Sequence, residues 1–191
     1  VAEEFCNRAR RFFVFHNKTV FFSNIIKKFN EGGSNSYYEV LVVDGTKPVK
    51  IYFDIEWKSV GGEETIDASK ERVRNLLRCF GAWIHAKDSS LDFDESDFIV
   101  LSSHDAVDNS VAIGKKFSYH LICQKKIFFL DIKVLKALMI EFVEYLNASR
   151  NTKPEADSCF VERGCIVDTG VYNHRQNFRM ILCSKNNERA R

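Results

Sequence analysis

The sequence predicts an α+β fold from two amphipathic helical stretches and six short segments rich in aromatic and β-branched residues. They run in the order strand, strand, helix, strand, strand, helix, strand, strand. Pairs of strands alternating with single crossover helices describe a mixed or largely antiparallel sheet with helices on one face, the other face being open for chemistry. At 191 residues the chain has room for one domain or two small lobes. Its hydrophobic content of 45%, with 17 Phe, fills a core without staples.

Taken in order, the strand-like runs cover residues 37–43 and 49–57, separated by the polar break at 44–48. A second break at 59–64 precedes a helix over 69–86. There Val73, Leu76, Leu77, Phe80, Trp83 and Ile84 recur at helical spacing, with Lys70, Arg72, Arg74 and Arg78 between them. Strands follow at 97–102 and 117–123, on either side of the polar stretch 105–114. The second helix spans 131–147, with Val134, Leu135, Leu138, Met139, Phe142, Val143 and Leu146 inward and Lys133, Lys136, Glu141 and Glu144 outward. Strands at 165–168 and 177–183 close the pattern.

Composition removes several function classes. The 28 Lys and Arg against 26 Asp and Glu leave a net charge of +2, so any polyanion site is a local patch and not the whole surface. Apolar runs such as Ile127-Phe128-Phe129-Leu130 and Ala137-Leu138-Met139-Ile140 fall far short of the roughly 20 residues that span a bilayer, and no membrane partner is expected. The six cysteines, at 6, 79, 123, 159, 165 and 183, are scattered and often sit in apolar runs. That reads as free thiols in a reducing, intracellular setting. The chain opens on Val-Ala-Glu-Glu and lacks a signal core, so it is expected to be the monomeric core of a longer protein.

Three segments concentrate polar chemistry on strand faces. In Lys50-Ile51-Tyr52-Phe53-Asp54-Ile55-Glu56-Trp57, alternation turns Asp54 and Glu56 the same way, opposite Phe53, Ile55 and Trp57. Two like charges so close repel unless a cation lies between them, and carboxylate oxygens suit Mg²⁺ or Mn²⁺; a solvated strand face carries the same pattern. In Lys116-Phe117-Ser118-Tyr119-His120-Leu121-Ile122, a cation, a hydroxyl and an imidazole share one side, a donor set suited to phosphate oxygens or simply to water. In the third segment Asp168 ends an apolar run, and a turn leads to a return strand carrying Arg179. If that hairpin lies beside the Asp54 strand, Asp168 becomes a third metal ligand and Arg179 a phosphate clamp; a lone Asp before a turn is also a turn former.

In this order, Asp54-x-Glu56, Ser118-x-His120 and Asp168 resemble the three motifs of the archaeo-eukaryotic primase superfamily, and their flanks resemble its PrimPol-like primase-polymerases. The resemblance covers residues 37–185. It implies a catalytic core over 46–191, with a sheet like an RNA-recognition-motif palm, preceded by a small α/β module over 1–45 that helps hold template, with Arg8, Arg10, Arg11, Lys27 and Lys28 as candidate phosphate contacts. It also implies that Asp54, Glu56 and Asp168 are catalytic and bind two divalent ions, Mg²⁺ or Mn²⁺. Lys116, Ser118, His120, Arg179 and Lys185 would hold the triphosphate, and Tyr38 would sit near the sugar. Gln176 stands where relatives have a further basic residue, with Arg175 as its neighbour.

The implied activity is template-dependent nucleotidyl transfer, a DNA primase or DNA polymerase reaction in replication or damage tolerance. Its partners would be single-stranded or primed DNA and nucleoside triphosphates, in a nucleus, a mitochondrion or a viral replication site. A zinc site from Cys159, Cys165 and His174 is not expected, because no C-x-x-C pair is present. Two other readings stay open: a catalytically idle nucleic-acid-binding module of primase ancestry, and a metal-dependent nuclease.

Overall fold

The computed structural model describes residues 2–4, 10–12, 17–32, 37–40, 48–59, 64–102, 116–173 and 177–179. In chain order its elements are β1 (Ala2–Glu4), β2 (Arg10–Phe12), α1 (Lys18–Asn30), β3 (Tyr37–Val40), β4 (Tyr52–Lys58), α2 (Ile66–Lys87), β5 (Phe98–Ser102), β6 (Lys116–Cys123), α3 (Ile132–Ser149), α4 (Pro154–Asp157), β7 (Phe160–Val161), β8 (Gly164–Cys165) and β9 (Asn177–Arg179). Two units form: Val1–Gly45 with His174–Arg191, and Thr46–Asn173. The fold is α+β, and every strand pairing among the described residues is antiparallel.

The first unit holds an antiparallel sheet in the order β2-β1-β3-β9 and the helix α1. Asn17 caps α1 by accepting from the Val20 amide at 3.2 Å, and Phe21 and Ile25 are its buried residues. The sequence reading did not predict this helix. The signal was present: Phe21, Phe22, Ile25, Ile26 and Phe29 recur at helical spacing on one stripe, although Phe22, Ile26 and Phe29, like Val20 off the stripe, are exposed. The strand at 177–179, read from sequence as part of the 46–191 module, pairs instead with Tyr37–Val40.

The second unit is built on alternation. Phe53, Ile55 and Trp57 of β4 and Phe117, Tyr119, Leu121 and Cys123 of β6 are all buried, while the residues between them from Asp54 to Lys58 and from Lys116 to Ile122 are half-buried or exposed. β6 lies between β4 and β5, and residues 166–168 join the far side of β4 through an isolated bridge from Ile55 to Val167. The spatial order is therefore 166–168, β4, β6, β5, with α2 and α3 as the crossovers. This is the split βαβ arrangement shared by ferredoxin-like and RNA-recognition-motif sheets.

The helices cover the apolar face. Phe53 meets Phe80 of α2 edge-on at 5.2 Å, Phe80 meets Phe142 of α3 at 5.2 Å, and Phe142 closes the triangle to Phe53 at 6.3 Å. Each such ring contributes about 1.5–3 kcal/mol by burial, and edge-to-face pairing adds about 0.5–1.5 kcal/mol. All six predicted core residues of α2 are buried. In α3 the buried stripe is narrower than predicted: Leu135, Met139, Phe142 and Leu146 are covered, but Val134 is exposed.

Caps and cross-links fix the helix positions. Thr65 caps α2 through the Ala68 amide, and Asp131 caps α3 through the Lys133 and Val134 amides at 2.8 and 2.9 Å. Ser69, fully buried in the first turn of α2, donates to the Ile66 carbonyl and pairs with the Tyr119 hydroxyl at 2.5 Å, tying helix to sheet. Arg72 is drawn inward from its predicted outward position. It bonds Glu64 at 3.0 Å, lies over the Trp57 ring and donates to the Ser158 carbonyl, while Glu64 also accepts from the Trp57 indole at 2.9 Å.

α2 approaches the 88–97 loop so closely that a Cβ on Gly81 would collide with the Phe93 carbonyl oxygen. Gly81→Ala is therefore expected to destabilise the protein by about 1–3 kcal/mol, although alanine is intrinsically the better helix former by ~1 kcal/mol. Urea unfolding checks this; an unchanged or raised midpoint would contradict the close approach.

Candidate active site

The open face of the sheet is assembled by strand register. β4 and β6 pair Asp54 with His120, Glu56 with Ser118 and Lys58 with Lys116. Residues directly opposite in an antiparallel pair share a face, so the motif side chains of both strands stand together. Residues 166–168 extend the row. The Asp168 amide donates to the Asp54 carbonyl at 2.9 Å, and the Glu56 amide donates to the Ile166 carbonyl at 3.0 Å. Asp168, Asp54 and His120 consequently occupy one cross-strand row, with Glu56 and Ser118 one row along.

Side-chain contacts follow this register. Lys116 Nζ reaches diagonally to Glu56 Oε2 at 2.7 Å, and His120 Nε2 lies 3.7 Å from Asp54 Oδ1. Asp54 and His120 are each 20% exposed, accessible to a ligand yet shielded enough for charge to matter. Glu56, at 52%, is open to water.

The segment bearing Asp168 is held by a reciprocal pair of tyrosines. Tyr172 donates to the Tyr52 carbonyl at 2.8 Å, and Tyr52 donates to the Val171 carbonyl at 3.3 Å, with the two rings 5.0 Å apart. Burial raises the titration of Tyr172 well above the usual phenol range, and the nearby Tyr52, Asp54 and Asp168 add to the shift. Burial, then Asp54, does the same for Tyr52. Both hydroxyls stay protonated as donors across the ordinary pH range, which is what the two bonds require. Sequence reasoning missed this pair, since alternation assigns Tyr52 to the polar face and gives no sign that Tyr172 covers it.

Asp168 forms a local turn. Its Oδ1 accepts from the Gly170 amide at 2.7 Å, capping the short 3₁₀ helix Thr169–Val171. Among the described residues no three His, Cys, Asp or Glu side chains converge closely enough to hold a metal ion. Carboxylate oxygens are the donors that Mg²⁺ or Mn²⁺ takes, but Asp168 accepts from the Gly170 amide and Glu56 pairs with Lys116. A shared cation requires both to swing toward Asp54.

The remaining predicted residues lie outside the β4–β6 sheet or outside the described residues. Tyr38 and Arg179 are register partners in the first unit, so the strand bearing Arg179 pairs with β3 and not with residues 166–168. Lys185, with Arg175 and Gln176, lies outside the described residues, as do Arg8 and His174. Arg10 and Arg11 lie in β2, and Lys27 and Lys28 in the last turn of α1. Cys79, Cys123, Cys159 and Cys165 are free thiols, and burial raises the titration of Cys123 and Cys165. No described helix is long and apolar enough to cross a membrane. No protein-family model and no curated protein matches the chain.

Removing one hydroxyl tests the tyrosine clasp. Tyr172→Phe leaves the buried Tyr52 carbonyl without that donor and is expected to cost about 1–3 kcal/mol in urea unfolding. A midpoint equal to wild type would show that the bond contributes nothing to holding residues 166–172.

Proposed function

We propose that the chain is the catalytic unit of a template-dependent nucleotidyltransferase, a primase-polymerase acting on single-stranded or primed DNA with nucleoside triphosphates. The observation that carries this reading is the row Asp168, Asp54, His120, with Glu56, Ser118 and Lys116 beside it on the same face. Anion-binding donors next to paired acids are what a triphosphate and its cations need together, and neither alone calls for both.

In this reading a primer 3′-hydroxyl, or that of a first nucleotide, attacks the α-phosphorus. The bond to the bridging oxygen breaks, pyrophosphate departs and the hydroxyl proton passes to solvent. Asp54, Glu56 and Asp168 would hold Mg²⁺ or Mn²⁺, which supplies Lewis-acid stabilisation of the entering and leaving oxygens when bound. Lys116, Ser118 and His120 donate hydrogen bonds to the triphosphate and keep the leaving group aligned. Lys116 exchanges its Glu56 partner for phosphate oxygens, and that exchange frees Glu56 toward the cation.

A second reading is favoured by the resting contacts of Asp168 and Glu56: a binding module of the same ancestry that holds nucleic acid without transferring nucleotides. Primer extension with Mn²⁺ and each nucleotide type separates the two. Asp54→Asn and Asp168→Asn are each expected to lower extension by at least about a thousandfold, whereas His120→Ala chiefly raises the nucleotide KM, by about tenfold. Wild-type binding of single strands with no metal-dependent extension would support the idle module instead. Extension by Asp54→Asn at the wild-type rate would sink the assignment.

A further inference from the structure

The open face changes character along its strands. Beyond the row of Asp54 and His120, away from Lys116, the next residues on the same face are Tyr52, Ile122 and Ile99, joined by the pairs Tyr52 with Ile122 and Ile99 with Ile122. Leu101 sits opposite His120 at the end of the charged row. Ile99 is 46% exposed, and Leu101 and Ile122 are half-buried. Among the described residues β6 is the only neighbour of β5, so this apolar ledge ends the sheet. Lys116 and Ile122 are six residues apart, about 20 Å along the strand, with the acids between them.

We infer that Ile99, Leu101 and Ile122 form the platform for the sugar and base of the primer's 3′-terminal nucleotide. The inference rests on the nucleotidyl-transfer reading and deepens it. Displacement at phosphorus is in line, with the entering and leaving oxygens on opposite sides. Pyrophosphate leaves toward Lys116, so the attacking hydroxyl arrives from the other side of the Asp54–His120 row, where the ledge begins. Rows of one face are about 7 Å apart, close to the reach from a 3′-hydroxyl across its own sugar to its base. Apolar contact with the flat face of a base does not distinguish sequence, which is what an enzyme extending any primer requires.

Ile99→Asp tests the platform, because an exposed edge-strand residue tolerates the change while a carboxylate there repels the primer backbone and removes apolar contact. The probe is a fluorescein-labelled primer–template duplex ended by a dideoxynucleotide, followed by anisotropy with Ca²⁺ present and no triphosphate. The expected result is about tenfold weaker duplex binding. In extension assays the primer KM rises to match, while the nucleotide KM stays within about twofold. Unchanged duplex affinity, or a shift in nucleotide KM alone, overturns the platform. Ile99→Val, which keeps the apolar surface, is expected to bind as wild type does; weakening by that variant equal to Ile99→Asp would also overturn it. Full extension by Asp54→Asn would instead bring down the transfer reading itself, so the two failures are distinguishable.

Discussion

The site depends on one short stretch of backbone pairing, the bridge between Ile55 and Val167, flanked by the hydrogen bonds from Asp168 to Asp54 and from Glu56 to Ile166. A slip of one residue there would turn Asp168 to the helix-covered side and bring the apolar Val167 to the open face, because side chains alternate with period two. Two bonds are a slender register lock, and side chains reinforce them. Val167 and Ile166 are buried, and the tyrosine clasp anchors the chain immediately after Asp168. The pairing of β4 with β6, seven residues long, sets the other half of the site more firmly.

Carboxylates gathered on a sheet face cost free energy unless cations or donors offset them. In the resting protein that offset is internal: Lys116 with Glu56, His120 near Asp54, and the Gly170 amide with Asp168. These partners are the groups, or the neighbours of the groups, that a triphosphate and its cations would engage. Substrate binding on this account is an exchange of partners on a preset backbone. The helix-covered face supplies the rigidity, since its aromatic packing leaves β4 and β6 little freedom to shift.

Much of this was legible in the residues themselves. Alternation in Tyr52–Lys58 and Lys116–Cys123 separates the buried from the open side correctly, and the spacing of Val73, Leu76, Leu77, Phe80, Trp83 and Ile84 finds the inner face of α2. What stayed hidden is non-local. Helix α1 is the exception, a local stripe of Phe21, Phe22, Ile25, Ile26 and Phe29 whose spacing is helical. The partner of Asn177–Arg179 lies over 130 residues earlier at Tyr37–Val40, and no local pattern announces such a pairing. The capping role of Asp168 and the burial of Tyr52 likewise depend on how the chain returns after the last crossover.

Whether the three acids can act as one ligand set is decided most directly by equilibrium Mn²⁺ binding, followed by electron paramagnetic resonance of the free ion in the presence of a non-hydrolysable nucleoside triphosphate. The account predicts saturable binding by the wild-type chain that is lost alike in Asp54→Asn and Asp168→Asn, with both variants folded by circular dichroism. Retention of wild-type Mn²⁺ binding by Asp168→Asn would contradict it, leaving Asp168 as a turn-forming residue beside an unrelated pair of acids.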